Sequence, residues 1–428
     1  MRTIHIVGCE GYARTLISQS EKHAARSECA LGCVIVDPEV HGVEQAAVRG
    51  TELKAQGWTV CSSFEELVAS GYPVSRHPGT RDVLSLPLPI HLHLPFVLQG
   101  LDAGFDVLCE KPAAGTVAEV QQMEDAAAQA EGELFFGFQH VLTDALEHVS
   151  RLLQGEAVGD IPLGALVQAR AMVLWPRPDW YYQRNQWAGR LTLSGPEHKV
   201  IRILDSPAQN AGAHFLHALL ETSYSSGWAP DVVEAVHLRG RSDIDSADTQ
   251  FFHITTRPVA RVGQAPSRAS APELTFAISH AIIEEVAPCV EWHCEHGIIR
   301  WAFPDTLEVE NESGVIYRHE GPLHGPDLNG VALARAIQPG DPKSRRRGVP
   351  AASALLHTAV IEAAFSGISP DNPVPQATQT RYHRIGEHGI TEIVGVADAV
   401  RKMFHDNEPV SACLPDEPIV RVRAQVGQ

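Results

Sequence analysis

Val107-Leu108-Cys109-Glu110-Lys111-Pro112 is the stretch that decides the fold. Three apolar residues run into two opposite charges and a proline. A buried strand of a parallel sheet ends this way at its carboxyl edge, where open α/β folds bind ligands. A lysine at such an edge is poorly solvated and is expected to titrate near neutral pH. Pro112 restricts the backbone behind it, so the ammonium is aimed. A strand-end ion pair of no functional weight has the same composition, so the flanking sequence must choose between the two readings.

Upstream, Thr3 to Val7 is a short apolar strand. It ends in Gly8-Cys9-Glu10-Gly11-Tyr12-Ala13, and an amphipathic helix starts at about Tyr12. Strand, tight turn and helix in this order let backbone N–H groups and the helix N-terminus hold a pyrophosphate. A full dinucleotide fingerprint has glycine where Glu10 stands, so a negative side chain meets the approaching phosphates. The second strand, Leu31 to Val36, ends in Asp37. An acid there binds a ribose diol and repels a 2′-phosphate, which favours NAD over NADP. Strands at Asp82–Leu86 and Leu134–Phe138 alternate with helices near 94–103 and 117–130. That alternation predicts an α/β protein whose N-terminal part is a Rossmann doubly wound parallel sheet.

Beyond residue 153 the texture changes. Apolar alternation at 163–174, 232–238, 249–255, 274–279 and 297–301 signals antiparallel strands. The expected organisation is an NAD-binding Rossmann domain at 1–140 and a substrate-binding and oligomerisation α+β domain at 141–370. The second domain is built on an open, mostly antiparallel mixed sheet. A C-terminal extension at 371–428 wraps the surface or meets a partner.

Composition narrows the partners. A chain of 428 residues, 44% hydrophobic, carries a formal net charge of -18. Such a surface repels nucleic acid and anionic membranes. No apolar run spans a bilayer and no signal peptide precedes the first strand, so the expected location is cytoplasmic. The eight cysteines form no CxxC pair and read as free buried thiols. Cys289, His293, Cys294 and His296 fit no zinc spacing, and no metal site is assigned. The basic run Lys343 to Arg347 reads as a solvated loop.

Two further stretches carry chemistry. In Asn210-Ala211-Gly212-Ala213-His214-Phe215-Leu216-His217, the residues Asn210, His214 and His217 are spaced i, i+4, i+7 on one helix face. A satisfied core histidine would explain either histidine alone; a polar stripe on an apolar helix argues for a site. Gly212 allows a ligand or another backbone to come close. Asn210 cannot take a proton but can orient a hydroxyl, and His214 suits proton exchange. Asp205-Ser206-Pro207 is expected to cap this helix. The stretch Trp175 to Trp187 holds three of the seven tryptophans. Tyr181, Tyr182 and Trp187 offer faces for sugar C–H groups, and Arg177 and Arg184 offer donors for hydroxyls or a carboxylate. A packed loop or a subunit contact is the alternative.

Together these residues resemble the glucose–fructose oxidoreductase, inositol dehydrogenase and MocA (Gfo/Idh/MocA) family of nicotinamide-dependent oxidoreductases. The matches are the glycine turn, Pro89 and His93 ahead of the lysine strand, Glu110-Lys111-Pro112, and the run from Asn210 to His217. The resemblance implies that Gly8, Glu10, Gly11, Tyr12, Ala13, Asp37, Pro89, His93 and Glu110 border the cofactor. It implies that Lys111 binds substrate and moves a proton, with His214 and Asn210 at the reacting hydroxyl and His217 nearby. Asn210 and His217 stand where the family usually has aspartate, so Asn210→Asp is expected to preserve or raise activity. The implied reaction moves a hydride between NAD and a secondary hydroxyl or ketone of a sugar, polyol or related cyclic substrate, in a homo-oligomer, dimer or tetramer. The alternatives are redox-neutral turnover on a bound NAD, by glycoside cleavage or epimerisation, and a non-catalytic sugar- or nucleotide-binding member of the fold.

Overall fold

The computed structural model describes residues 2–36, 43–74, 80–195, 199–259, 270–319, 327–338, 347–406, 410–414 and 416–427. The chain forms two compact units: Met1–Leu142 with Asp327–Leu355, and Thr143–Pro326 with Leu356–Gln428.

The first unit is a six-stranded parallel sheet. Its strands are β1 (Thr3–Val7), β2 (Ala30–Ile35), β3 (Thr59–Cys61), β4 (Val83–Leu86), β5 (Asp106–Cys109) and β6 (Leu134–Phe136). The helices between them are α1 (Tyr12–Ala25), α2 (Val43–Ala55), α3 (Phe64–Ala69), α4 (Ile90–Ala103) and α5 (Val117–Gln129). Ile4, Ile6, Val83, Leu84, Val107 and Leu108 are wholly buried, as parallel strands covered on both faces must be. This is why Val107 to Cys109 read as an apolar run, and why even His5 on β1 and Ser85 on β4 are buried. The spatial order is β3-β2-β1-β4-β5-β6. The order reverses between β1 and β4, which places the ligand crevice of such a sheet at the carboxyl ends of those strands. The Rossmann sheet is therefore as expected.

The segment Asp327–Leu355 belongs to this first unit rather than to the second domain, which corrects the expected boundary. Buried Asp106 explains the attachment. Its Oδ2 pairs with Arg2 Nη1 at 2.5 Å and with Arg347 Nη2 at 2.9 Å. Phe136 N–H also donates to the Val349 carbonyl at 2.8 Å, extending the hydrogen bonding past β6. Arg347 is thus a buried ion-pair partner and not part of a solvated loop; Lys343 to Arg346 lie outside the described residues. Cys33 on β2 and Cys61 on β3 are joined as a disulfide, with Cα atoms 6.4 Å apart. This corrects the all-thiol reading, because strand pairing brings together cysteines that sequence spacing keeps apart.

The second unit is organised on a nine-stranded mixed sheet. It begins with α6 (Asp144–Leu153), β7 (Leu166–Leu174), α7 (Asp179–Gln183), a small pair β8 (Thr192–Ser194) and β9 (Val200–Arg202), and α8 (Ala213–Ser225). Then follow β10 (Trp228–Leu238), β11 (Thr249–Pro258), β12 (Glu273–Ser279), β13 (Val286–Cys294), β14 (Gly297–Ala302), β15 (Thr306–Asn311) and β16 (Gly314–Arg318). A hairpin of β17 (Thr380–Ile385) and β18 (His388–Ile393) precedes the final strand β19 (Val420–Gln425). The large sheet runs β16-β15-β14-β13-β7-β12-β11-β10-β19; among the described residues β7 and β12 pair in parallel and the other neighbours are antiparallel.

The stretch 371–428 is not an appendage. β19 pairs with β10 as the edge strand, and the helix Val396–Asp406 buries Val396, Ala399, Val400, Met403 and Phe404 in a core with Met172, Leu174 and Phe251. Arginines alternate with the valines of β19, as suits an edge strand, and so short a run carries little signal.

Candidate active site

At the end of β1 the chain turns through Gly8, φ 100°, and Gly11, φ 59°. Both angles lie where a side chain is strained, which is why glycine stands there. Nothing lies within 4 Å of where a Gly11 Cβ would sit. Gly11 is the N-cap of α1, makes no side-chain cap bond, and no acid sits in the first turn. Glu10 is drawn aside: both its carboxylate oxygens accept from Arg14, at 2.7 and 2.9 Å. The charge expected at the phosphates is thus neutralised one helical turn away. An uncapped helix start behind a positive-φ glycine turn suits a pyrophosphate. Gly8, Gly11, Tyr12 and Ala13 are the residues that would hold it. Asp37 lies outside the described residues.

Glu110 and Lys111 follow β5 directly. Glu110 is 5% exposed, and burial pushes its carboxyl up to about 7, with Lys111 and the Lys111 backbone N–H opposing. Its Oε2 accepts that N–H at 3.2 Å. Gly137 packs flat on the same carboxylate: a Cβ there would lie 2.6 Å from Oε1. The half-buried Lys111 is followed by Pro112 and then by a capping box, Thr116 with Glu119, that starts α5. Tyr12 ties the glycine turn to this edge. Burial raises its phenol, and the Glu110 carboxylate raises it further; its Oη donates to the Asn329 carbonyl at 3.0 Å. Pro89 caps α4. His93 is fully buried between two carbonyls, Leu88 at 2.9 Å from Nε2 and Ala113 at 3.1 Å from Nδ1, and burial lowers its pKa. It braces the loops after β4 and β5.

In the second unit α8 is buried on every side from Ala213 to Ser223. Its N-cap is Gly212, so the expected cap at Asp205 is corrected. Asn210 sits in the turn before the helix, while His214 and His217 lie on it, 8% and 0% exposed. Gly212 lets the helix settle on β12, where a Cβ would lie 2.4 Å from Ile278 Cδ1. The His217 ring lies 6.5 Å from that of His357.

The aromatic stretch packs on this helix, with Trp175 5.5 Å from Phe215 between ring centroids. Tyr181 lies between two guanidinium groups, Arg184 at 3.8 Å and Arg177 at 5.2 Å, and Trp187 lies 5.0 Å from Arg184. Tyr182 is buried, its Oη 2.9 Å from His280 Nδ1. An open polar cavity lined by Asp179, Gln183, Arg241, Asp243, Arg381 and Tyr382 takes two residues from the aromatic stretch, but none of Arg177, Tyr181, Tyr182, Arg184 and Trp187.

Sequence reading missed Asp205 as a site group. It is 2% exposed, and its two oxygens accept from Gly189 N–H at 2.7 Å and from Asn210 Nδ2 at 2.9 Å. It thereby joins the aromatic stretch to the turn before α8. Gly137 was missed as well; only its place after a strand hinted at a close approach.

Residues 2–138 match the family model GFO_IDH_MocA, described as an oxidoreductase family with an NAD-binding Rossmann fold. Over these residues the chain is similar to the Gfo/Idh/MocA family. An uncharacterised oxidoreductase of Synechocystis sp. is 27% identical over 200 residues, which cover 45% of this chain and 48% of that protein. The chain thus spans about half the length of the curated relative it matches. Solved structures share the fold at low identity. The WlbA dehydrogenase from Bordetella pertussis, in complex with NADH and UDP-GlcNAcA, has a TM-score of 0.59 at 18% identity, covering 87% of this chain and 99% of that one. An aldose-aldose oxidoreductase from Caulobacter crescentus, complexed with glycerol, has a TM-score of 0.60 at 18% identity, covering 86% and 97%. A biliverdin reductase from Synechocystis sp., with biliverdin and NADP+, has a TM-score of 0.57 at 12% identity, covering 85% and 98%.

Proposed function

We propose that this protein is an NAD-dependent oxidoreductase acting on a secondary hydroxyl, or the matching ketone, of a sugar, polyol or related cyclic substrate. The observation that carries the reading is in the first domain. The residue that opens α1 behind the glycine turn, Tyr12, is within electrostatic reach of Glu110, next to Lys111. This supports a reading in which the lysine at the carboxyl edge works close to the glycine turn.

When bound, the nicotinamide supplies a hydride acceptor or donor. The chain's own residues do the rest. Gly8, Gly11, Tyr12 and Ala13 hold the pyrophosphate through backbone N–H groups and the start of α1. Lys111, in its amine form, takes the hydroxyl proton during oxidation and returns it during reduction. In the second domain Asn210 and His214 hold a hydroxyl, and His214 is the proton partner. Tyr181 and Trp187 offer ring faces, and Arg177 and Arg184 hold substrate hydroxyls or a carboxylate. Asp37 supports NAD over NADP, since an acid after the second strand repels a 2′-phosphate. Relatives of the fold solved with UDP-GlcNAcA and with glycerol favour a hydroxylated substrate.

The test is absorbance at 340 nm with a panel of sugars, polyols and sugar acids, run with NAD and with NADP. Reduced cofactor should appear with at least one member, faster with NAD. A chain that binds sugars but neither nicotinamide would overturn the reading.

A further inference from the structure

We infer that Asp205 is the acid of the second domain's hydroxyl-binding site, acting as a positioning residue through Asn210. This rests on the reading that Asn210 and His214 meet the substrate. A carboxylate offers only acceptors, so the edge of the Asn210 amide that faces Asp205 Oδ1 at 2.9 Å must be its NH2. The amide oxygen is then set on the opposite edge and is the acceptor presented to a hydroxyl. The other carboxylate oxygen is held by Gly189 N–H at 2.7 Å, so Asp205 cannot rotate without losing that bond. The turn between the two residues is pinned independently. Gln250 Oε1 accepts from Ala208 N–H at 2.9 Å, His357 Nε2 lies 3.2 Å from the Ala208 carbonyl, and Asn210 N–H donates to the Ser206 carbonyl at 3.0 Å. Asp205 is 2% exposed, so little water competes for either oxygen.

The pair has a polarity that can be reversed. Asn210→Asp sets a half-buried carboxylate at hydrogen-bond distance from the buried Asp205 carboxylate, which disfavours ionising both. The single variant should therefore not gain activity. It should work while the pair shares a proton and fail as pH rises and the proton leaves, a limb the wild type lacks. Asp205→Asn points an NH2 at the NH2 of Asn210, and the forced flip presents a donor where an acceptor belongs. Asp205→Asn with Asn210→Asp restores the match: the amide introduced at position 205 accepts from Gly189 N–H and donates to the new carboxylate, which again presents an oxygen outward.

The experiment is a pH series of kcat and KM for wild type, Asp205→Asn, Asn210→Asp, Asn210→Ala and the double exchange, with melting temperatures alongside. The substrate is the panel member with the highest kcat/KM. Asp205→Asn should lose about 10- to 100-fold in kcat/KM, the scale of one lost hydrogen bond to a charged group. The double exchange should recover most of that loss and should lack the alkaline limb of Asn210→Asp. A double exchange that folds but stays as slow as Asp205→Asn would overturn the inference, as would Asn210→Asp with a wild-type pH profile. Normal turnover by Asn210→Ala would instead remove the underlying reading of the site.

Discussion

The two domains hold their candidate functional groups by different means. In the first, Gly8, Gly11 and Tyr12 follow β1, and Glu110 and Lys111 follow β5; the order of parallel strands alone brings those ends to one edge. In the second, the turn carrying Asn210 is held by Asp205, Gln250 and His357, and those hydrogen bonds span 5, 42 and 149 positions. A site written at strand ends tolerates change in its surroundings. A site held by a network of long-range hydrogen bonds is undone by altering one remote partner.

The largest expected effects separate chemistry from binding. Lys111→Ala should depress kcat by at least ~100-fold and His214→Ala should also be slow, the scale of a lost general acid or base. NAD affinity, read by fluorescence titration, should change little in either. A weakened NAD affinity in Lys111→Ala would make the lysine part of the cofactor site and blur the contrast between the domains.

The next effect is on stability. Glu110 has a folded pKa of about 7 against an ordinary 4.5. A raised folded pKa means the native state binds the proton more tightly, so its contribution is full below pH 4.5 and is lost as pH rises through 7. Compared with Glu110→Gln, the wild type should lose up to about 3 kcal/mol across that window, at roughly 1.36 kcal/mol per unit. Urea midpoints for both proteins at pH 4.5, 5.5 and 7 measure this; parallel curves would mean Glu110 stays ionised, held by Lys111.

The smallest effect concerns Glu10. Its carboxylate is already engaged by Arg14, so Glu10→Gly should change NAD affinity by less than about threefold, as expected of an exposed ion pair. A tenfold gain in a calorimetric titration would show that the charge does reach the phosphates.

How much was legible follows the same division. Thr3–Val7 matches its expected bounds, because the strand is buried from Ile4 to Val7 and turns sharply at Gly8. The place of Lys111 directly after β5 was legible because an apolar run ending in charge and proline marks the carboxyl edge of a buried strand. Asp205 was visible only as a helix cap, since nothing in the chain marks Gly189 or Asn210 as its partners. The edge strand β19 was hidden by its charges, and the return of Asp327–Leu355 to the first unit by distance, since Arg347 meets Asp106 across 241 positions. Cys33 and Cys61, 28 residues apart, pair only because β2 and β3 are neighbours.

The central claim is that an amine at the end of β5 moves the substrate proton, and chemical rescue of Lys111→Ala tests it most directly. On a substrate the wild type oxidises, the variant should be slow, and added ethylamine should restore turnover in a saturable way that tracks the fraction of free amine as pH is varied. A variant with near-normal kcat in the absence of any added amine would contradict the account and leave Lys111 as a strand-end ion pair.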